Sequence, residues 1–192
     1  LYTYGISEQE LRGQLKSLID RQDPLISIYP SGKHAMVKVT AIENSQSLAE
    51  SASIAMAKAA RIQLGDAVFS TSNNNLGAAT EQVLEKQKLN CAVAEVGSDG
   101  TFASRLSHHV HAYAADDLAG CCEKLQVDSA IAESYGDSQQ AAVWLACAAK
   151  AAAGATVGAA ILLPPSSQDS GHVHISLSDG EQAWSKSFAL NP

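Results

Sequence analysis

Residues 89–106, LNCAVAEVGSDGTFASRL, hold several side chains that could do chemistry. They contain the carboxylates of Glu95 and Asp99, the hydroxyl of Ser98 and the guanidinium of Arg105. A serine hydroxyl can act as a nucleophile when a base activates it, and a turn of small residues can bind an anion. The residues here that could contact a ligand are Glu95, Gly97, Ser98, Asp99, Gly100, Thr101 and Arg105.

The pattern of this segment predicts a strand, a turn and a helix, with the turn at the end of the strand. The apolar run 91–94 leads into Glu95, a turn at 97–100 follows, and residues 101–106 can continue as a helix. A strand, a turn and a helix in this order build a pocket at the carboxyl end of the strand. The free N–H groups at the start of the helix favour an anionic group there. The alternative is a connection without a ligand, in which Ser98 or Asp99 caps the helix.

Residues 94–100 read AEVGSDG, a frame that resembles the A-E-S-C-T-G-G pattern of the CinA (competence/damage-inducible) family. Ala94, Glu95 and Gly100 match this pattern, whereas Val96 stands where the family has the serine taken as its nucleophile. The resemblance implies the fold of the family's C-terminal domain, which is a nicotinamide-mononucleotide deamidase in its active members. It also implies a nucleotide-like small molecule as partner.

Two further segments are similar to family patterns that carry function. The V-x-Y-S-N-x-x-K-like segment falls on residues 110–118, where Tyr113 is retained and Leu118 stands at the lysine position. The T-G-I-A-G-P turn falls on residues 160–165, where Ala160 stands at the threonine position. Amide hydrolysis through an acyl-enzyme needs a nucleophile, a base and oxyanion donors. The resemblance therefore implies a deamidase fold for which no catalytic residues are expected, serving a binding or assembly role.

A second hypothesis stays open beside this one. The domain could be an active nicotinamide-mononucleotide amidohydrolase that releases ammonia through an altered site made of Glu95, Ser98 and Tyr113. Ser98 lies two residues beyond the lost serine position, although the sequence shows no base that would activate its hydroxyl. In the first interpretation the same serine belongs to the cap of the following helix.

Residues 1–72 predict a small α-β-β-α-β domain. A capping box at Ser7 and Glu10 opens the first helix. Strands are expected at 25–29, 34–40 and 67–70, with a helix at about 45–63. The segments YGISEQEL and GDAVF are similar to the KH-like middle domain of the CinA family. This domain has neither a GxxG loop nor a basic helix, so we expect no RNA binding.

Residues 76–192 predict an α/β sandwich-like domain with a mostly parallel central sheet and a C-terminal hairpin. Helices are expected at 76–87, 115–125 and 139–153, and strands at 91–95, 110–113 and 155–163. Asp179 and Gly180 form a tight-hairpin signal between strands 172–177 and 182–190. The family usually continues with a further C-terminal helix, which is absent from this sequence.

The composition bears on partners and location. The net charge is −7, with most of it after residue 86, whereas nucleic-acid binding needs a basic surface. No apolar run reaches the length of a membrane span. Four cysteines without a CxxC pair suit a reduced, cytoplasmic protein. We expect a homo-oligomer, with no nucleic-acid partner, no membrane partner and no cofactor.

The six histidines are the remaining candidates for chemistry. His108, His109 and His111 cluster in sequence, and His172 and His174 project from one face of a strand. Two imidazoles at this spacing can share a metal ion. No cysteine or carboxylate stands at a fixed ligand spacing beside them. We therefore expect no metal site, and histidines that face solvent or line a pocket.

Overall fold

The computed structural model describes residues 1–21, 23–106, 110–136, 138–164 and 171–190. The chain divides into two compact units, Leu1–Ala79 and Thr80–Pro192. The first contains a small antiparallel sheet and the second a mostly parallel sheet that ends in a hairpin, so the predicted fold class is confirmed. Within the described ranges, no helix is long and apolar enough to cross a membrane.

The first unit is a four-stranded antiparallel sheet with helices on one face. Its elements are β1 (Tyr2–Tyr4), α1 (Glu8–Gln14), α2 (Lys16–Ile19), β2 (Leu25–Ser31), β3 (His34–Thr40), α3 (Gln46–Leu64), a 3₁₀ turn (Gly65–Ala67) and β4 (Val68–Ser70). The strand order is β2-β3-β1-β4. Leu11 of α1, Val37 of β3 and Met56 of α3 meet in its buried core.

Strand β1 is an addition to the predicted α-β-β-α-β order. It has three residues, too few to show a periodic pattern, yet it lies between β3 and β4 and pairs with both. Its Thr3 is buried and donates its hydroxyl to the carbonyl of Ala35 at 3.2 Å. The predicted capping box at the next helix is present, because Ser7 and Glu10 each accept from the other's backbone N–H.

The second unit is built around a five-stranded sheet. The division between the units falls within α4 (Leu76–Gln87). The elements that follow α4 are β5 (Cys91–Val96), a 3₁₀ turn (Ala103–Arg105), β6 (Val110–Ala115), α5 (Leu118–Leu125), α6 (Ser129–Tyr135), α7 (Gln139–Ala153), β7 (Val157–Leu162), β8 (Gly171–Ser178) and β9 (Ala183–Leu190). The strand order is β6-β5-β7-β8-β9. β5 is parallel to both neighbours, whereas β8 and β9 join antiparallel.

Side-chain alternation gives this sheet two faces. Ala94 and Val96 of β5 pack with residues of α5 and α7, and we call this side the α7 face. Cys91 and Val93 pack with Leu84 of α4, and we call this side the α4 face. The alanine-rich α7 lies so close to β7 that a Cβ on Gly158 would stand 1.9 Å from the carbonyl oxygen of Ala146.

Two local predictions in this unit were wrong, and one helix was missed. The helix expected at 101–106 is only the 3₁₀ turn Ala103–Arg105, for the reason given below. The helix expected from residue 115 begins at Leu118, because β6 continues to Ala115 and Asp117 is the N-cap. Helix α6 was not predicted, although Asp128 accepts from the N–H of Ala130 at its start.

Candidate functional site

Glu95 is the buried polar centre of the loop that follows β5. Its side chain is 0 % exposed. Oε2 accepts the hydroxyl of Ser98 at 2.5 Å and the backbone N–H of Phe102 at 3.1 Å. Oε1 accepts the backbone N–H of Ala103 at 2.7 Å. All three donors belong to the loop, so the carboxylate ties the loop to the strand that carries it.

Glu95 takes the capping role that the sequence suggested for Ser98 or Asp99. The hydroxyl of Ser98 points to the carboxylate, and the side chain of Asp99 is exposed. A glutamate on the strand can reach two successive N–H groups of the loop at once, whereas a cap residue inside the turn reaches one. With these groups held by Glu95, the chain makes a single 3₁₀ turn there.

The backbone of the loop needs left-handed conformations at three positions. Gly97, Asp99 and Gly100 have φ values of 75°, 51° and 70°. Gly97 donates its N–H to the carbonyl of Ala115 at 2.9 Å, and a Cβ at Gly97 would lie 3.3 Å from Cβ of Leu163. The left-handed conformation at Gly97 favours glycine, and a Cβ there would make a tight contact with Leu163. Asp99 adopts the same region at the cost of some backbone strain.

The other predicted ligand-binding residues lie on the surface of this loop. Thr101 is exposed and donates its N–H to the carbonyl of Ser98 at 3.0 Å. Arg105 is exposed at the end of the 3₁₀ turn. The structure thus brings Glu95 and Ser98 into direct contact and leaves Thr101 and Arg105 at the rim.

Tyr113 is not brought to the Glu95–Ser98 pair. In the parallel register of β5 and β6 it stands opposite Ala94, and it packs against the apolar cluster of the α7 face. Glu95 is the next residue along β5, so its side chain projects from the α4 face. The tyrosine and the carboxylate are therefore on opposite faces of the sheet.

Val96, Leu118 and Ala160, the three positions that the sequence comparison singled out, lie at one apolar cluster. Val96 and Ala160 are buried members of the cluster on the α7 face. Leu118, at the start of α5, is partly buried and packs against the same cluster. Each of these side chains contributes to burial, and none of them carries a group that could transfer a proton or attack an amide.

A polar pocket of about 410 Å³ lies beside the loop, at the carboxyl end of β6. Its lining residues are Asp99, Ala114, Ala115, Asp116, Asp117, Gly120 and Lys124. Lys124 donates its ammonium group to the carbonyl of Ala114. Asp117 accepts from the N–H of Gly120 at 2.7 Å as the N-cap of α5. Three carboxylates against one ammonium make this pocket unfavourable for a phosphate.

The histidines do not form a metal centre in the part of the chain that the structure describes. His108 and His109 lie outside the described residues. The rings of His172 and His174 stack with their centres 6.0 Å apart, and Nδ1 of His174 is 2.7 Å from the hydroxyl of Ser187. No group of three or more histidine, cysteine, aspartate or glutamate side chains is placed to hold a metal there.

The buried cysteines are poor nucleophiles. Burial raises the pKa of the Cys121 thiol to about 12, and the neighbouring Cys122 adds to the rise. Burial also raises the pKa of Cys91 and of Cys122. Because the thiolate is the reactive form, these three side chains serve packing. Cys147 is exposed on α7.

Comparison with protein families places the first unit in a defined class. Residues 1–70 match the model described as the damage-inducible protein CinA KH domain. The chain is 28% identical over 105 residues to a CinA-like protein of Desulfovibrio desulfuricans. It is also 28% identical over 103 residues to a putative competence-damage inducible protein of Clostridium botulinum. These matches cover 55% and 53% of the chain, and it spans about a quarter of each relative's length.

Solved structures share the fold of this chain. A competence-damaged protein (CinA) superfamily protein from Escherichia coli aligns over 67% of this chain and 86% of its own, with a TM-score of 0.50 and 20% identity. A competence/damage-inducible protein from Agrobacterium tumefaciens aligns over 58% of this chain and 76% of its own, with a TM-score of 0.50 and 16% identity. The predicted resemblance to the CinA family is confirmed.

Proposed function

We propose that this chain is a cytoplasmic CinA-like protein whose second unit does not deamidate nicotinamide mononucleotide and serves assembly. The observation that carries the proposal is that Val96, Leu118 and Ala160 all lie at one apolar cluster. The family resemblance matches these positions to functional residues, and here their side chains pack in one apolar cluster. A hydrolytic centre needs polar groups that converge on a substrate, and these positions supply hydrophobic contacts instead.

The hydrogen bonds of Glu95 support the same conclusion. A buried carboxylate that accepts three hydrogen bonds from its own loop is stabilised as a structural anchor. The retained glutamate of the family pattern thus has a role that needs no substrate. Such a role explains why a loop of the family type can persist without the serine that follows the glutamate in the active pattern.

The charges around the loop favour assembly over the binding of a nucleotide. Asp99, Asp116 and Asp117 line the pocket beside the loop, with Lys124 as the one cation among the lining residues. Like charges oppose the docking of a phosphate at this place. The net charge of −7 opposes a nucleic-acid partner in the same way.

The test is an assay of ammonia release from nicotinamide mononucleotide, with an active CinA deamidase as the positive control. The purified chain is expected to release no ammonia above the blank at any protein concentration used. Turnover that scales with the concentration of the chain would overturn the proposal.

A second candidate function is favoured by one contact. The hydroxyl of Ser98 lies 2.5 Å from Oε2 of Glu95, a distance that would suit removal of its proton by a carboxylate. The alternative is therefore an amidohydrolase in which Ser98 attacks the amide and Glu95 is the base. If ammonia is released and the activity disappears in Ser98→Ala but persists in Ser104→Ala, this alternative replaces the first proposal. Ser104 is an exposed serine of the same loop and serves as the matched control.

A further inference from the structure

Ser187 and His174 bring a hydroxyl and an imidazole together outside the loop that follows β5. The two residues stand opposite each other in the register of β8 and β9. Nδ1 of His174 lies 2.7 Å from the hydroxyl oxygen of Ser187. In the imidazole tautomer that carries its proton on Nε2, the hydroxyl donates to Nδ1. A hydroxyl that donates to an imidazole is the arrangement in which a base activates a serine nucleophile.

The burial of the two side chains suits these two roles. His174 is 7 % exposed, whereas Ser187 is half-buried. The ring of His172 stacks against the ring of His174, with the two planes 22° apart. Burial and stacking hold the imidazole in place on a paired strand, while the hydroxyl stays accessible. A general base must be positioned and a nucleophile must be reached by its substrate, and this pair meets both conditions.

The buried serines of the same hairpin have different partners. Ser176 donates its hydroxyl to the carbonyl of Trp184 at 3.0 Å. The hydroxyl of Ser178 accepts the N–H of Gly180 at 3.1 Å. Both contacts stabilise the backbone of the hairpin. Among the described serines of β8 and β9, Ser187 is the one that contacts an imidazole.

The pair lies on the face of the sheet that is opposite to Glu95. His174 stands opposite Leu162 of β7, and Leu162 belongs to the buried cluster on the α7 face. Residues that stand directly opposite each other project from the same face of a sheet. The side chains of His174 and Ser187 therefore share the α7 face.

A pocket of about 480 Å³ lies next to this pair, lined by residues of α6, α7 and β9. Its lining residue on β9 is Ser185, which projects from the same face as Ser187, about 7 Å away along the strand. The other lining residues are Tyr135, Gln139, Gln140, Val143, Trp144 and Cys147. The volume is in the range of a site for a small molecule.

The lining of this pocket favours an uncharged substrate. None of the seven described residues that line it has an acidic or basic side chain of the Asp, Glu, Lys, Arg or His type. An acyl chain can pack against the rings of Trp144 and Tyr135. The carboxamides of Gln139 and Gln140 are donors of the kind that stabilise a developing oxyanion. A charged group would lose its hydration there without gaining an ion pair.

We propose that Ser187 and His174 form an acyl-transfer site that cleaves uncharged carboxylic esters. The oxygen of Ser187 attacks the ester carbon while its proton passes to Nδ1 of His174. The bond from the ester carbon to the leaving oxygen breaks, and His174 gives the proton to the leaving alcohol. Water then attacks the acyl-serine and gives a proton to Nδ1. The serine recovers that proton as the carboxylic acid leaves.

Labelling with an alkyl fluorophosphonate tests the nucleophile. The serine oxygen displaces fluoride from phosphorus, and mass spectrometry of the digested chain locates the adduct. We expect one major adduct, at Ser187, in the folded chain. Unfolding in urea should abolish the labelling, because the imidazole is then no longer beside the hydroxyl. Ser187→Ala should remove the adduct, and His174→Gln should slow its formation about a hundredfold.

His111→Gln is the matched control, because His111 is an exposed histidine of the same unit. It should be labelled at the rate of the unmodified chain. Circular dichroism shows whether each variant is folded. If His174→Gln does not fold, the unmodified chain decides the question, since a purely structural pair would leave Ser187 unlabelled. The inference is overturned by a folded chain that takes up no label, by an adduct on another serine in preference to Ser187, or by an unchanged rate in a folded His174→Gln variant.

Esters of p-nitrophenol test the role of the pocket. Each rate of p-nitrophenol release is taken relative to the rate with free imidazole. The hexanoate ester should react about tenfold faster or more than the acetate ester, because the longer acyl chain buries more apolar surface against Trp144. An ester whose acyl chain ends in a carboxylate should react more slowly than the hexanoate ester. Equal relative rates for the three esters would overturn the assignment of this pocket to the acyl group.

Discussion

The hydroxyl of Ser98 donates to Oε2 of Glu95 across 2.5 Å, inside the loop that follows β5. The contact joins a side chain of the loop to the strand beneath it. The same carboxylate also holds the N–H groups of Phe102 and Ala103. Catalytic and structural interpretations of this pair therefore differ in their consequences for stability, which can be measured without a substrate.

Glu95→Gln is expected to destabilise the second unit. The amide keeps one acceptor oxygen and turns an NH2 group towards donors that the carboxylate satisfied. A buried donor left without an acceptor costs about 1–3 kcal/mol. Urea unfolding followed by circular dichroism should show the fall in the free energy of unfolding.

Glu123→Gln is the matched control, because Glu123 is exposed on α5. It should change the unfolding free energy by less than about 0.5 kcal/mol. Equal stability of the Glu95→Gln variant and the unmodified chain would contradict the role of Glu95 as an anchor.

Gly97→Ala is expected to destabilise the loop by more than about 1 kcal/mol, since the new Cβ meets Leu163 and the residue keeps a φ of 75°. Gly13→Ala has the opposite expectation. A Cβ at Gly13, inside α1, meets nothing within 4 Å, so the change should stabilise by about 0.5–1 kcal/mol. Thermal unfolding of the two variants should show shifts of opposite sign, and a shared sign would contradict the account of the loop.

Sequence patterns predicted the elements with strong periodicity and missed β1 and α6. Helix α7 was predicted at its observed bounds, because Ser138 and Gly154 mark its two ends. Strand β1 was missed, since three residues carry no period and its pairing with β3 and β4 is set by tertiary structure.

At the candidate site, too, the sequence could not predict the contacts that depend on tertiary structure. The sequence placed Glu95 at the end of a strand and Ser98 on the turn that follows it, and the structure shows the two side chains in contact. It could not show that Tyr113 stands on the other face of the sheet, which depends on the register of β5 with β6. It also could not show that Glu95 would accept the N–H groups of Phe102 and Ala103, because that depends on how the loop folds back over the strand.

Asp99 is expected to oppose the binding of nicotinamide mononucleotide. Its carboxylate is exposed at the loop and lines the acidic pocket. Titration calorimetry with the unmodified chain should show no heat of binding. Asp99→Gly removes the charge and fits the left-handed φ of 51°, so it should gain stability and restore weak affinity. Clear binding by the unmodified chain would contradict this expectation.

The raised pKa of Cys121 predicts a loss of stability in alkali. In the folded state the pKa of Cys121 is about 12, whereas the ordinary pKa of a cysteine thiol is 9.0. Between these two values the unfolded chain releases the proton and the folded chain keeps it. The unfolding free energy should therefore fall as pH rises above 9, by about 2 kcal/mol for this group at pH 10.5.

Other groups also titrate in this range, so the measurement compares variants at each pH. The stability difference between Cys121→Ala and the unmodified chain should shift by about 2 kcal/mol in favour of the variant between pH 8 and pH 10.5. Cys147→Ala is the matched control, because Cys147 is an exposed cysteine of the same unit. A constant difference for Cys121→Ala across the two pH values would mean that the thiol of Cys121 loses its proton as readily in the folded chain as in the unfolded one.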